Sequence, residues 1–320
     1  MHSFPIGILG ASGYAGRELA TLVAAHPALH LAFATANGRA GSRVSVAGRT
    51  VDLIATEDAP LADAALIFSA LPHGTSSAWV ERARTAGAKV VDLSADLRPG
   101  SGAITDITYG LTELRRDDVR RSSVVANPGC YPTGILLALA PLLARELVLP
   151  ATTIQVTAAS GVTGAGYAPR PELLFAEVAE DFRPYASGNS HRHLPEMLAM
   201  LASFSADNDL VFMPHLLPVA RGILATITVS LVRSLADPLS PWREHYSNEP
   251  FIEITEEPPA LRDVVRRNVV RISAAHAMHV RSPMLIVTAA IDNLMKGAAG
   301  QAVQNANLML GLPEPMGLPA

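Results

Sequence analysis

The segment Gly10-Ala11-Ser12-Gly13-Tyr14-Ala15-Gly16 stands between an apolar run, Ile6 to Leu9, and a helical pattern, Ala15 to Ala25. Strand, glycine turn and helix in that order open a βαβ series, which constrains the chain more than any other feature it has. The next hundred or so residues continue the alternation. Leu29 to Thr35, Ala64 to Ala70 and Lys89 to Leu93 read as strands, with Trp79 to Ala86 helical between the last two. Such a pattern requires a mostly parallel sheet covered on both faces, hence a doubly wound α/β domain.

The GxxGxxG spacing suits a dinucleotide. Glycine permits a tight turn and close approach of a pyrophosphate, while the helix N-terminus supplies N–H donors and positive potential. Gly10, Ser12, Gly13, Tyr14 and Gly16 are therefore cofactor-binding candidates, although the same residues would also make a strand-to-helix turn with no ligand. Phe33 to Arg39, at the end of the second strand, offers no carboxylate for a ribose 2′-hydroxyl, whereas Arg39, Ser42 and Arg43 suit a 2′-phosphate. The chain is accordingly expected to use NADP rather than NAD.

With 320 residues the chain exceeds the usual single-domain size, so two domains are expected. After a helical run at Ile135 to Glu146 the pattern changes: Thr152 to Ala158, Leu210 to Met213, Ile223 to Val232 and Leu285 to Ala290 are β-branched or alternating runs joined by long connections. They suit a mixed sheet. Ser160 to Ser190, rich in Gly, Pro and Ala, is too long for an ordinary connection, and loops of that length are often functional. Lys296 to Leu310 reads as a helix whose first turn holds Gly297, Ala298, Ala299 and Gly300, small enough for a close approach by a neighbour or a ligand.

Composition narrows the partners. Against 25 basic residues there are 29 acidic ones, a formal charge of -4, which argues against nucleic acid. A single cysteine makes no internal disulfide and suits a reducing, cytoplasmic setting. No apolar stretch is long enough to span a membrane, and Met1 to Pro5 lacks the basic start of a signal peptide.

That cysteine, Cys130, lies in Asn127-Pro128-Gly129-Cys130-Tyr131-Pro132-Thr133, where a Pro-Gly turn delivers the thiol to the first turn of a helix. Unpaired N–H groups and the helix dipole there favour a thiolate, a nucleophile at neutral pH; the alternative is a small buried apolar side chain. A thiolate beside a nicotinamide suggests attack on an acyl carbon and exchange of the thioester with hydride, which needs an acid or base within reach. Ser190-His191-Arg192-His193-Leu194-Pro195-Glu196 offers two histidines for proton transfer and Arg192 for an anion, or else a polar loop capping the next helix through Glu196. A metal site is not expected, because Cys or further His at ligand spacing is absent. His215 is ambiguous. Arg98, in Asp92-Leu93-Ser94-Ala95-Asp96-Leu97-Arg98 beyond a strand, suits a phosphate, or an ion pair with Asp96.

Together these segments resemble the N-acetyl-gamma-glutamyl-phosphate reductase family, within the wider aspartate-semialdehyde dehydrogenase superfamily. The resemblance rests on Gly10 to Gly16, Ala70-Leu71-Pro72-His73-Gly74, Asp92 to Arg98, and Ala126 to Thr133. It continues through Ala159-Ser160-Gly161-Val162-Thr163-Gly164-Ala165-Gly166, His191-Arg192-His193, Pro214-His215 with Arg221-Gly222-Ile223, Asp292-Asn293-Leu294 and Lys296 to Gln301. It implies NADPH-dependent reduction of an acyl phosphate, N-acetyl-gamma-glutamyl phosphate, to the semialdehyde through a cysteine thioester, in a homo-oligomer (dimer or tetramer). It also implies a Rossmann NADP-binding domain from residues 1–130 and 296–320, and a catalytic and oligomerisation domain with a mixed sheet from 131–295. Carried over by position, Cys130 is the nucleophile, with His193 preferred over His191 as acid/base. Pro72, Asn293, Lys296 and Gly297 would lie at the cofactor, and Arg98, Ser160, Gly161, Arg192 and Glu196 at the substrate. One departure stands out: Tyr167 follows Gly166 where this family commonly carries arginine, and Arg170 is the nearest replacement. Alternatives left open are the lysine-pathway aminoadipyl-phosphate counterpart, aspartate-semialdehyde dehydrogenase, and a non-catalytic NADP-binding sensor.

Overall fold

The computed structural model describes residues 3–46, 48–101, 107–204 and 207–320, so Met1 and His2 of the N-terminal argument lie outside the described residues. The chain divides into two units, one of Met1–Gly129 with Ala298–Pro319, the other of Cys130–Gly297 with the final Ala320.

The first unit runs β1 (Phe4–Leu9), α1 (Tyr14–Ala25), β2 (Leu29–Thr35), β3 (Arg43–Val46), β4 (Arg49–Ile54), β5 (Leu66–Ser69), α2 (Ser76–Thr85), β6 (Lys89–Asp92), β7 (Thr108–Tyr109), α3 (Thr112–Arg121) and β8 (Val124–Ala126). Its sheet has the order β3-β4-β2-β1-β5-β6-β8-β7, parallel except for the antiparallel pair β3–β4. Strands buried on both faces favour continuous apolar residues, which is why β5 runs Leu66-Ile67-Phe68 and the centre of β6 is Val90-Val91. The chain leaves β1 toward β2 on one side and later returns as β5 on the other, so the carboxyl ends of β1 and β5 form the switch point where such sheets bind ligands. Gly10 turns there at φ 82°, and a Cβ on it would stand 2.5 Å from the Ala70 carbonyl oxygen, so only glycine fits.

The second unit opens with α4 (Cys130–Ala144) and continues through β9 (Thr153–Gly161), α5 (Phe175–Val178), β10 (Arg183–Pro184), α6 (Leu194–Ser203), β11 (Asp209–Leu217), β12 (Ile223–Ser230), α7 (Ser240–His245), β13 (Ile252–Ile254), β14 (Val270–His276) and β15 (Met284–Ile291). The sheet β10-β11-β9-β12-β15-β14-β13 is mixed: β9 and β11 are parallel, and β12 is antiparallel to both β9 and β15. Strict alternation along β12 buries Ile223, Ala225, Ile227 and Val229 on the face that α4 covers. Tyr131 to Leu143 are all buried, as a helix apolar on every side must be. Pro141 removes the N–H that would meet the Leu137 carbonyl, and the Tyr246 hydroxyl donates to that carbonyl at 2.8 Å. Trp242 Nε1 donates to the next one, Ala138, at 2.9 Å.

A π-helical turn at Met295–Ala299 leads into α8 (Gly300–Met309), every residue of which is buried. Its amides are used for hydrogen bonding: Gln301 and Asn305 both donate to the Gly110 carbonyl, at 3.1 and 2.9 Å. No helix among the described residues is long and apolar enough to cross a membrane.

Candidate active site

Cys130 is the first residue of α4 and is partly exposed. The residue three places before it is tightly held inside the first unit. Asn127 Oδ1 accepts from Asn305 Nδ2 at 3.0 Å, its Nδ2 donates to the Ala298 carbonyl at 3.1 Å, and its carbonyl accepts from Arg98 Nε at 2.9 Å. Arg98 also donates to the Leu93 carbonyl at 2.7 Å and is only 6% exposed. Its guanidinium therefore fastens the chain ahead of Cys130. Asp96 has partners of its own. That carboxylate caps α2, accepting from the Gly74, Ser76 and Ser77 N–H groups, and these bonds outweigh its partial burial and hold its pKa below the usual range. Asp92, fully buried, feels the Arg98 charge; burial raises its pKa despite bonds from Ser76 and Ser94.

A cavity of about 410 Å³ lies within the second unit, and Cys130, Ser160, Gly161, His191, Arg192 and His193 are all on its wall. The long segment after β9 supplies much of the rest, including Arg170 and Tyr185. Of its arginines, Arg183 is occupied by the Glu172 and Glu177 carbonyls and by Asp181. Arg170 is exposed and donates to the Ala165 carbonyl at 3.4 Å, while Tyr167, the departure noted above, does not line the cavity.

The two histidines differ. His191 Nδ1 accepts the His193 backbone N–H at 3.1 Å, so its neutral ring carries hydrogen on Nε2. Its ring is packed against Tyr131, Tyr185 and Phe212, with centroids 5.3, 5.6 and 5.3 Å away. Burial first, and the Arg192 charge second, lower its pKa to about 4, which keeps it uncharged at neutral pH. His193 is buried at the N-terminal end of α6 and shares the cavity wall.

Several candidates have other places. Glu196 is buried in the first turn of α6 and does not line this cavity. Asn293 has its amide engaged on both sides, accepting from Gly222 N–H at 2.8 Å and donating to Thr163 Oγ1 at 2.9 Å, so it braces the glycine-rich turn after β9. Lys296 is fully buried with Nζ 5.5 Å from the centre of the Phe251 ring. His215 stacks on Phe182 at 5.0 Å. The close neighbour of Gly297 is Cys130: a Cβ there would fall 2.8 Å from Cys130 Cβ. Gly297→Ala is therefore expected to displace Cys130 and lower kcat at least tenfold, with about 1–3 kcal/mol of stability lost to overpacking. Steady-state kinetics and thermal unfolding check both effects, and a variant with wild-type kcat would show that the contact relaxes harmlessly.

In the first unit a second cavity, of about 350 Å³, is lined by Arg39 and Arg43 and by Arg17 of α1, which the sequence reading did not select. Arg43 is paired with Asp52 at 2.8 Å, and Ser42 donates to the Arg39 carbonyl without lining the cavity. Arg17 could have been found, since it follows Gly16 directly in the helix facing the second strand. A Cβ on Gly16 would collide with the Gly10 carbonyl at 2.3 Å, whereas one on Gly13 would have its nearest neighbour at 3.8 Å. Packing thus requires Gly16 but not Gly13, and the bare backbone at Gly13 is a cradle a Cβ would fill, as pyrophosphate binding needs. Ser12 completes this turn, Tyr14 begins α1, and Pro72 lies in the turn after β5. Among the described residues no cluster of His, Cys, Asp and Glu could hold a metal ion.

Residues 5–122 match the family model described as semialdehyde dehydrogenase, NAD binding domain, and 130–293 the one described as semialdehyde dehydrogenase, dimerisation domain. A Salinispora arenicola protein named N-acetyl-gamma-glutamyl-phosphate reductase is 43% identical over 98% of this chain and 97% of its own length. Proteins of that name from Moorella thermoacetica and Dehalococcoides mccartyi (strain CBDB1) are 40% and 38% identical, over 98% and 100% of this chain and 97% and 98% of theirs. In fold the chain is similar to aspartate semialdehyde dehydrogenase II of Vibrio cholerae, solved with ASA, with a TM-score of 0.80 at 20% identity over 97% of this chain and 99% of that one. It is also similar to the Candida albicans aspartate semialdehyde dehydrogenase solved with NADP, with a TM-score of 0.70 at 14% identity over 96% and 98%.

Proposed function

Because this chain belongs to the N-acetyl-gamma-glutamyl-phosphate reductase family of the semialdehyde dehydrogenases, we propose that it reduces N-acetyl-gamma-glutamyl phosphate to N-acetylglutamate 5-semialdehyde with release of phosphate. The observation that carries this reading is a thiol at a helix N-terminus sharing one cavity wall with two histidines and two exposed arginines, Arg170 and Arg192.

In this reading His193 accepts the thiol proton and the Cys130 thiolate attacks the acyl carbon. The bond from that carbon to the phosphate oxygen breaks, leaving an acyl thioester on Sγ. When bound, reduced NADP would supply the hydride that adds to the thioester carbon. Breaking of the carbon–sulfur bond then releases the aldehyde, and the thiolate at the start of α4 is regenerated. Arg170 and Arg192 hold the anionic ends of the substrate, and the neutral His191 keeps the His193 backbone in place through its Nδ1.

Gly10, Gly13 and Gly16 would hold the cofactor pyrophosphate, with Pro72 nearby in the turn after β5. Arg17 and Arg39 would hold a 2′-phosphate, which supports NADP over NAD. The Arg17→Ala/Arg39→Ala variant is expected to raise the KM for NADPH about 10- to 100-fold, the range for losing charge-assisted hydrogen bonds, with little effect on NADH. Parallel losses with both cofactors would contradict that assignment. The match of residues 130–293 to a dimerisation domain supports a homo-oligomer.

The test is the reverse reaction, with NADP and phosphate, on N-acetylglutamate, aminoadipate and aspartate semialdehydes under identical conditions. Preference for N-acetylglutamate semialdehyde is expected. Preference for either of the others, or no turnover by folded protein, would overturn the reading.

A further inference from the structure

The edge of β11 that faces β10 is longer than β10 itself. Among the described residues β10 is the strand on that side, and its two residues, Arg183 and Pro184, pair with Leu216 and His215. The Tyr185 N–H extends the pairing by one bond, to the Pro214 carbonyl at 3.0 Å. Beyond that point a side chain takes over the edge. Asn189 Oδ1 accepts the Phe212 N–H at 2.8 Å, and Asn189 Nδ2 donates to the Leu210 carbonyl at 2.8 Å. A carboxamide carries a donor and an acceptor as a peptide group does, so this one side chain stands in for a strand on backbone groups that need partners. Asn189 has φ 59°, in the left-handed region that asparagine enters more readily than most residues with a Cβ. Glycine would suit that backbone without the amide, and aspartate would keep the acceptor without the donor. Asparagine meets both demands at once.

We infer that Asn189 is a positioning residue for the reaction, holding the His191-Arg192-His193 run against the edge of β11 and so setting His193 on the cavity wall. Ser190 alone separates it from His191, whose ring packs on Phe212, the residue whose N–H the Asn189 side chain accepts. His191 Nδ1 accepts the His193 N–H in turn. After His193 the chain enters α6, which packs on α4, the helix that Cys130 opens. His193 is thus located from both directions along the chain, by the Asn189 amide before it and by the packing of α6 on α4 after it. Asn189 does not line the cavity, so it acts through the histidine and not on the substrate.

This inference rests on the acyl-phosphate reading of the same cavity, in which His193 moves a proton, and a double-mutant cycle tests it separately. The reverse reaction on N-acetylglutamate 5-semialdehyde is measured for Asn189→Gly, which suits the backbone and removes the amide, alone and combined with His193→Asn. Alone, Asn189→Gly should lower kcat about 10- to 100-fold, the scale of a displacement of about 1 Å at a reacting group. The KM for NADP should hold, because the glycine turn that would bind it belongs to the first unit. In the His193→Asn background the same substitution should cost less than about threefold, since its effect passes through the histidine that has been removed. Asn189→Asp, close to asparagine in shape and in its tolerance of positive φ, should fall between wild type and Asn189→Gly, and it carries the same cycle through should the glycine variant misfold. Equal losses in both backgrounds, or a wild-type kcat in the single variants, would overturn the inference while leaving the functional reading intact. Folded wild-type protein inert toward the aldehyde would overturn the functional reading and this inference with it.

Discussion

Cys130→Ala should abolish turnover, by about 10⁴-fold or more, the scale seen when a covalent nucleophile is removed. The same variant should bind NADPH as the wild type does. Cys130 begins α4, and the glycine turn that would hold the cofactor is built from β1, α1 and the carboxyl end of β5 in the first unit. Alanine keeps the Cβ that packs on Gly297 and removes only Sγ, so misfolding is not expected to account for the loss. Kinetics in both directions, with NADPH titrated by fluorescence, check the two halves of this expectation. Residual activity within a hundredfold of wild type would mean that the acyl group is never held on sulfur.

His193→Asn should reduce kcat by about 10²- to 10⁴-fold, the contribution of a positioned acid/base, with a smaller change in KM. The choice between the histidines follows from their surroundings. His191 is enclosed by aromatic rings, its Nδ1 is taken by a backbone N–H, and burial lowers its pKa to about 4. A group so weakly basic is poorly matched to receiving a thiol proton near pH 7. His193 lines the same cavity, at the start of α6, with the Tyr131 and His191 rings beside it. His191→Asn should cost less in kcat than His193→Asn; the opposite order would exchange the roles.

How much of this was legible in the sequence depended on how local its cause was. Leu29 to Thr35 could be read as a strand because its boundaries are set by neighbouring turn residues, and the structure has β2 at those residues. The Pro-Gly turn likewise placed Cys130 at the start of a helix, where α4 begins. Short strands such as β7 and β13, two and three residues long, owe their existence to sheet partners and leave no periodic signal. The burial of α8 was not legible either, since Gln301, Gln304 and Asn305 look like a solvated face until Gly110, Thr112 and Glu113 supply their partners. The partners of Arg98 were hidden for the same reason: only the fold reveals the carbonyls of Leu93 and Asn127 around it. Tyr185 carried no motif of its own. It reaches the cavity through pairing of β10 with β11, which also sets its N–H on the Pro214 carbonyl.

The central claim is that Cys130 carries the acyl group. Its most direct test is to mix the protein with N-acetyl-gamma-glutamyl phosphate in the absence of NADPH, quench in acid, and map the adduct by peptide mass spectrometry. A thioester confined to Cys130, formed with release of one phosphate per site and discharged as aldehyde when NADPH is added, is the predicted result. Protein that turns over with NADPH yet never acquires the acyl group on Cys130 would contradict it.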